Sequence, residues 1–138
     1  MFQDTVTIFN KYEDNLENVK WYPTVLHNVE LQVTQGSNIK NTGLTTADKA
    51  NLHIRNDNSL EKAYSEPKAW LKDVEMQTSF TLKEDDFFVK GEFPTTVVND
   101  EEYVGGFFQY MNKKHDNIYR ITTVDTFKLI PHWEVGGK

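Results

Sequence analysis

The stretch Val25-Leu26-His27-Asn28-Val29-Glu30-Leu31-Gln32-Val33-Thr34 is the part of the sequence that decides the fold class. Apart from His27 its odd positions are apolar, and its even positions from 28 onward are polar: Val25, Val29, Leu31 and Val33 against Asn28, Glu30, Gln32 and Thr34. Alternation with a period of two is typical of a β-strand that buries one face. Pro23 lies just upstream and cannot donate a ladder hydrogen bond, which favours a strand start or a sheet edge there.

Segments of similar character lie on both sides of this strand. The predicted strands are Thr5 to Phe9, Ala50 to Arg55, Ser79 to Lys83, Phe87 to Lys90, Ile118 to Val124 and a short final one from Pro131 to Val135. The polar stretch from Tyr12 to Asn18 predicts a hairpin connection. The acidic run Glu84-Asp85-Asp86 predicts a solvated hairpin turn between its two flanking strands.

One segment has the period of a helix. Asn99 is suited to an N-cap, Glu102 follows three residues later, and positive side chains lie at the far end, which together predict a helix from Asp100 to Lys114. Its apolar face carries Tyr103, Val104, Phe107, Phe108 and Met111. The pair Gly105-Gly106 weakens this helix by about 1 kcal/mol per glycine.

The predicted fold class is α+β, mainly β: a small antiparallel β-barrel or sandwich of about six strands with one covering helix near the C-terminus. We expect that helix to plug the barrel. We also expect a single domain over residues 1–138, with long loops at about 35–49 and 56–73. In the second loop Pro67 breaks any helix, and Ala69-Trp70-Leu71 forms either one helical turn or an anchor of a covering loop. Loops of this length in a compact domain are usually functional or disordered.

Composition excludes several classes of protein. The chain has 138 residues, is 38% hydrophobic and 26% charged, and contains no cysteine, which excludes a disordered chain, a disulfide framework and a thiolate metal site. A net charge of −6 argues against specific nucleic-acid binding. The sequence predicts a chain without a signal peptide, and it contains no apolar run long enough to cross a membrane.

The sequence contains no strong catalytic or cofactor motif. It has no P-loop, no G-x-S-x-G and no G-x-G-x-x-G, and its four histidines are scattered. His132-Trp133-Glu134 offers two metal ligands on one face of an extended segment, and two ligands do not make a site. We therefore predict no catalytic residue, no cofactor and no metal, and a protein that is not an enzyme.

The long loops carry isolated apolar anchors of the kind that fold against a neighbouring subunit. The candidate interface residues are Gly36, Ile39, Gly43 and Leu44 in the first loop, and Tyr64, Trp70 and Leu71 in the second, with His132 and Trp133 as a candidate tail contact. An alternative hypothesis is a small ligand- or carbohydrate-binding β module that uses Trp21, Trp70 or Trp133. A hydrolase would need a pocket of convergent titratable groups, which the sequence gives no reason to expect.

Four stretches of the sequence form a pattern of packing and turn residues: Phe2-Gln3-Asp4-Thr5-Val6-Thr7-Ile8-Phe9-Asn10-Lys11-Tyr12, Trp21-Tyr22-Pro23-Thr24-Val25-Leu26, Ile121-Thr122-Thr123-Val124-Asp125 and His132-Trp133-Glu134-Val135-Gly136-Gly137-Lys138. In these stretches the chain resembles small proteins encoded in the structural gene clusters of phages and prophages of Firmicutes. The layout of an opening strand, a hairpin, a strand with a long loop and a small barrel is similar to that of head–tail joining (head-completion) proteins.

The resemblance implies a non-enzymatic virion structural protein, a component of the head–tail connector. Its partners would be portal, adaptor or tail subunits and further copies of itself in a ring, with packaged DNA close by and no membrane. A ring interface is heterologous, so opposite flanks of one subunit must be complementary. We expect the protein to be in the host cytoplasm during assembly and then in the virion, and to be monomeric or weakly associating in isolation.

Overall fold

The fold was analysed in a computed structural model of the chain. It describes residues 3–33, 49–55, 60, 62–73, 78–94, 96–127 and 132–138. The predicted loop at 35–49 therefore falls almost wholly outside the described residues, as do positions 56–59 and 61 of the second loop. The candidate interface residues Gly36, Ile39, Gly43 and Leu44 also lie outside them.

Nine strands and two α-helices make up the described chain. In order they are β1 (Asp4–Glu13), β2 (Val19–Val33), β3 (Ala50–Arg55), β4 (Ala63–Tyr64), α1 (Pro67–Asp73), β5 (Ser79–Phe80), β6 (Phe87–Lys90), β7 (Val98–Asn99), a single 3-10 turn (Asp100–Glu102), α2 (Phe107–Lys114), β8 (Ile118–Phe127) and β9 (His132–Gly137). The predicted strand at Ala50 to Arg55 is confirmed at both ends, and a tight turn from Asp14 joins β1 to β2 as predicted.

Six of the strands form a closed antiparallel ring. Their order is β1-β6-β8-β9-β3-β2, and β2 pairs back with β1 to close it, while β7 adds to the outside of β2. The predicted fold class, α+β and mainly β with about six barrel strands, is confirmed. Closure leaves the ring strands without long free edges, which protects a small sheet from edge-to-edge association.

The long strand β2 can serve both sides of the ring because it contains a bulge. Its first part pairs with β1 and its last part with β3, and the register against β1 shifts between Asp4 and Val6. Asn28 lies beside this shift with φ of +58°, a left-handed conformation that Asn adopts more readily than most residues. The extra residue changes the parity of the inward face, so Leu26 and Val29 both enter the core.

The interior of the ring is filled with apolar side chains. All six ring strands contribute, together with the chain on either side of Thr81: Val6, Ile8, Leu26, Val29, Ala50, Leu52, Ile54, Phe80, Leu82, Phe88, Tyr119, Ile121, Trp133 and Val135. A second cluster lies outside the ring, where Phe107 and Met111 of α2 pack on Phe9 and Phe87. Helix α2 thus covers the outer face of the barrel, and the prediction that it plugs the barrel is wrong.

The predicted helix from Asp100 to Lys114 is interrupted. Gly105 and Gly106 have φ of +82° and +96°, so the chain leaves the right-handed helical region between the 3-10 turn and α2. Asn99 makes no side-chain capping bond. The carboxylate of Asp100 instead accepts the backbone N–H of Phe107 at 2.8 Å, at the start of α2.

Two predictions for the middle of the chain are wrong. Pro67 does not break a helix; it begins α1, because the first helical residue needs no N–H donor. The segments at 79–83 and 87–90 do not form a hairpin, since β5 pairs in parallel with β4 while β6 pairs with β1 and β8. The segment 56–73 therefore contains α1 and β4, and of the two alternatives for Ala69-Trp70-Leu71 the helical one is confirmed.

Candidate functional site

The candidate interface residues of the second loop have different environments. The indole of Trp70 is 1% exposed and packs edge-on against Tyr22 and Tyr12, with ring centroids 6.0 and 6.4 Å away. Leu71, its neighbour on α1, is 48% exposed. Trp70 therefore anchors α1 to the outside of the barrel, and Leu71 is the member of this pair that remains at the surface.

The tail residues are divided in the same way between the core and the surface. Trp133 is 3% exposed and lies in the barrel interior, its ring 4.6 Å from that of Tyr64. His132 points to the other face of β9, where its Nε2 lies 3.0 Å from a carboxylate oxygen of Glu134. Trp21 is also buried, so the three tryptophans belong to the packed core and do not form an external platform for sugars.

A buried carboxylate lies at the junction between β1 and β6. Asp86 has no exposed surface, and its Oδ2 accepts the side-chain amide of Asn10 at 2.8 Å. Its Oδ1 accepts the backbone N–H of Lys11 at 2.8 Å and the ammonium of Lys83 at 2.5 Å. The prediction that Glu84-Asp85-Asp86 is a solvated turn holds for the two exposed residues, Glu84 and Asp85, and is wrong for Asp86.

The environment of Asp86 suits a structural role. Burial raises the pKa of its carboxyl above the ordinary value, and the ammonium of Lys83 and the hydrogen bonds oppose that shift. Lys83 also donates to the carbonyl of Lys11 at 2.8 Å and lies 5.2 Å above the ring of Trp70. Because both carboxylate oxygens are bonded and closed off from solvent, the network joins β1, β6 and α1 and leaves no room for a substrate.

An apolar groove runs along α2. It encloses about 310 Å³ and is lined by aromatic and aliphatic side chains with one imidazole: Phe9, Phe93, Pro94, Thr96, Val98, Tyr103, Phe107, Tyr110, Met111 and His115. Val104 is fully exposed and lines an adjoining surface with Glu102 and Lys113, which shares Tyr103 and Tyr110 with the groove. A single exposed valine is ordinary on a protein surface, but its position next to the groove extends the apolar patch there, and contiguous apolar patches are typical of interaction sites.

A cationic cleft lies on the opposite side of α2. It encloses about 600 Å³, and its three cations are Lys49, Arg120 and Lys138, against one acid, Asp116. Apolar side chains form its floor: Val33, Phe108 and Ile118. The guanidinium of Arg120 lies 4.2 Å above the Phe108 ring, a geometry that holds the charge in place. On a chain with net charge −6, this cleft is a local exception.

Sequence reasoning missed the functional potential of this region. The stripe Tyr103, Phe107, Phe108 and Met111 was expected to be core, and only Phe107 and Met111 are buried. The pair Gly105-Gly106 is the feature of the sequence that indicates this, because both glycines have positive φ values. The chain changes direction at these glycines, and part of the apolar stripe then faces outward. The cations of the cleft come from three distant parts of the sequence, and no local pattern connects them.

These features define a class of protein: a mainly β, α+β domain with a filled six-stranded ring, and with an apolar groove and a cationic cleft on its outside, around α2. The chain belongs to DUF6751, a family of unknown function that matches residues 1–138. No curated protein and no solved structure matches it. Within the part of the chain that the structure describes, neither helix has the length or the apolar character that crossing a bilayer requires.

Proposed function

We propose that this protein is a non-enzymatic structural protein that joins subunits of a virion, as a component of the head–tail connector of a phage or prophage. The observation that carries the proposal is the fully exposed Val104 beside an apolar groove, on a barrel whose own interior is already filled. An apolar side chain held in water is stabilised when a partner covers it.

The cavities in the described residues favour binding over catalysis. The groove along α2 contains His115 and no carboxylate, and the cationic cleft contains Asp116 surrounded by positive charge. Acid–base catalysis needs a pair of titratable groups that converge on one reacting atom. Both oxygens of the buried Asp86 already accept hydrogen bonds from protein donors, and the residue has no exposed surface.

Charge complementarity favours a second copy of the chain as one neighbour. The turn that precedes Val104 carries Glu101 and Glu102, both exposed. Phe108 and Asn112 of α2 face the cationic cleft, whereas Tyr110, Lys113 and Lys114 face the side of Val104. The acidic turn of one copy can therefore meet the cationic cleft of the next head to tail, with Val104 against the apolar floor of the cleft. Lys113 and Lys114 beside Val104 add positive charge that opposes this contact and keeps it weak.

A head-to-tail contact of this kind generates a ring when its rotation closes. The net charge of −6 on each copy weakens association of the free protein, which fits a subunit that assembles only on a portal or tail scaffold. The same acidity would repel packaged DNA from the surface of a connector channel. The proposed location follows: host cytoplasm during assembly, and the virion afterwards.

The self-association can be tested by chemical cross-linking and sedimentation of the purified chain at increasing concentration. We expect cross-linked oligomers of the wild type, and a marked loss of them for Val104→Asp. Leu16→Asp is the matched control, because Leu16 is 80% exposed but lies on the hairpin between β1 and β2. Equal cross-linking of Val104→Asp and the wild type would exclude the Val104 contact.

The connector role is tested by deleting the gene from a lysogen that carries it and inducing the prophage. We expect electron micrographs of the lysate to show separate heads and tails, and plasmid-borne wild type to restore joined particles. Mass spectrometry of purified wild-type particles should detect the chain. Normal tailed particles from the deletion strain would overturn the proposal.

A further inference from the structure

Three potential metal ligands meet on the outer surface of the barrel, far from α2. Strands β3 and β9 pair antiparallel, with His53 directly opposite Glu134 and Ile54 opposite Trp133. Ile54 and Trp133 are buried inside the ring, so alternation turns their neighbours His53, His132 and Glu134 outward. One ligand atom from each of these three side chains lies within 4.8 Å of the other two.

We propose that His53, His132 and Glu134 form a binding site for a divalent transition-metal ion of the zinc type. This inference does not depend on the proposed connector function. Two imidazoles and one carboxylate are a ligand set that zinc accepts, with a fourth position left for water or another ligand. Magnesium and calcium prefer oxygen ligands throughout and should bind poorly here.

The distances fit such an ion with small side-chain movements. Ligand atoms about 2.0–2.1 Å from a tetrahedral ion lie about 3.4 Å from one another. His132 Nε2 and Glu134 Oε2 are 3.0 Å apart, slightly closer than that. The rings of His53 and His132 are nearly parallel, with an interplanar angle of 16° and centroids 6.4 Å apart, so rotation of one ring about its side-chain bonds brings its nitrogen toward the shared ion.

The surroundings of the cluster also favour a cation. Residues that lie directly opposite one another form a row across four strands: Glu30 on β2, His53 on β3, Glu134 on β9 and Asp125 on β8. Acids thus stand at both ends of the row, and Arg55, opposite His132, is the one positive residue paired with the cluster in these strands. Directly opposed side chains are close enough to interact, so Asp125 adds negative potential beside Glu134.

Half-burial gives the three ligands some of the preorganisation that a metal site needs. The side chain of His132 is 21% exposed and that of Glu134 is 35% exposed, and both come from the same strand at positions two apart. Strands hold side chains in more fixed positions than loops do. Folding therefore already removes part of the conformational freedom that these ligands would lose on binding a metal ion.

The test is a zinc titration of the full chain without a polyhistidine tag, by calorimetry and by competition with a chromophoric chelator. We expect one zinc ion per chain with a dissociation constant in the micromolar range or tighter. His53→Asn, His132→Asn and Glu134→Gln should each weaken binding at least tenfold. His27→Asn and His115→Asn are matched controls, because these histidines lie outside the cluster, and they should bind as the wild type does.

A second measurement keeps the test valid if a variant does not fold. Cobalt added to the wild type should produce the visible absorption of a tetrahedral site and broaden the imidazole resonances of His53 and His132 before those of His27 and His115. Magnesium should produce no such broadening. Binding weaker than millimolar, or zinc affinity that is unchanged in folded His53→Asn and His132→Asn, would overturn the proposal.

Discussion

The side-chain amide of Asn10 lies 2.8 Å from the carboxylate of the buried Asp86, and it also bonds both backbone polar groups of Thr81. The Asn10 Nδ2 group donates to the carbonyl of Thr81 at 2.7 Å, and the Thr81 N–H donates to Asn10 Oδ1 at 3.3 Å. One side chain thus supplies bonds that a neighbouring strand would otherwise supply. This explains why the chain before β6 can stay buried without forming the expected hairpin.

Asp86→Asn should destabilise the fold although it changes only one atom type. Asparagine keeps one acceptor oxygen and has an NH2 donor in place of the other. In one orientation that NH2 group faces the amide donor of Asn10, and in the other it faces the donors of Lys11 and Lys83. We expect a loss of about 3 kcal/mol in the free energy of unfolding, measured by urea denaturation. Lys83 is 23% exposed and can turn to water, so most of the loss comes from the other two donors.

Asp85→Asn is the matched control for this change. Asp85 is exposed and has φ of +77°, a conformation that asparagine also tolerates, so we expect a change within about 0.5 kcal/mol. Equal stability of the two variants would mean that the Asp86 network does not stabilise the native state.

The free energy of unfolding should also depend on pH in a way that reflects the raised pKa of Asp86. Burial raises the pKa of its carboxyl above 3.8, so between 3.8 and the native pKa the native state holds more of this proton than the unfolded chain does. Stability falls with rising pH wherever the native state binds more protons. The wild-type free energy of unfolding minus that of Asp86→Asn should therefore decrease as the pH rises through that range.

Urea denaturation of both proteins at a series of pH values from 3 to 7 measures this difference, because the other acids are common to both and cancel. A difference that increases with pH would contradict the prediction. It would mean that the ammonium of Lys83 and the hydrogen bonds outweigh burial and hold the native pKa below 3.8.

The strands were predictable from the sequence because alternation is a local property, whereas the sites depend on which strands become neighbours. The odd parity of His53 and the even parity of His132 and Glu134 could be read from the apolar residues between them. Their meeting depends on the pairing of β3 with β9, which joins segments about 80 residues apart.

The burial of Asp86 was hidden for a similar reason. Three consecutive acids are typical of a solvated turn, and the partner that makes burial possible, Asn10, lies 76 residues away in the sequence. The interruption before α2, in contrast, depends on a local feature of the sequence. Gly105-Gly106 indicates a loss of helix propensity, and two adjacent glycines also permit the positive φ values that end a helix.

Trp70→Ala should be among the most destabilising substitutions in the chain. Its indole is 1% exposed and packs between Tyr12, Tyr22 and the ammonium of Lys83, so its removal leaves a large cavity under α1. We expect a loss of about 3–5 kcal/mol in the free energy of unfolding. Leu71→Ala, one residue along the same helix but half exposed, should cost about 1 kcal/mol or less.

Thermal and urea unfolding of both variants check this prediction. Similar losses for the two would show that α1 does not dock on the barrel through Trp70. The comparison also bears on partner binding, because Leu71→Ala should leave the fold intact and can be used in cross-linking experiments where Trp70→Ala cannot.

We predict that the Oδ1 atom of Asp100 stabilises the junction between the start of α2 and β2. Its Oδ1 accepts the indole N–H of Trp21 at 2.9 Å and the backbone N–H of Phe107 at 2.8 Å. Trp21 is 4% exposed, so Asp100→Ala leaves a buried donor without an acceptor and removes the bond at the helix start. We expect a loss of about 2 kcal/mol for Asp100→Ala, and almost none for Glu101→Ala, which alters an exposed acid next to it.

Asp100→Asn separates the role of this oxygen from the role of the charge. Because both bonds end on Oδ1, asparagine can keep both with its carbonyl oxygen, and we expect it to retain most of the stability that alanine loses. Urea denaturation gives the stability of each variant, and the indole N–H resonance of Trp21 reports the bond directly. That resonance should shift in Asp100→Ala and stay near its wild-type position in Asp100→Asn. If asparagine is as destabilising as alanine, the negative charge at the start of α2, and not the shared oxygen, is what stabilises this junction.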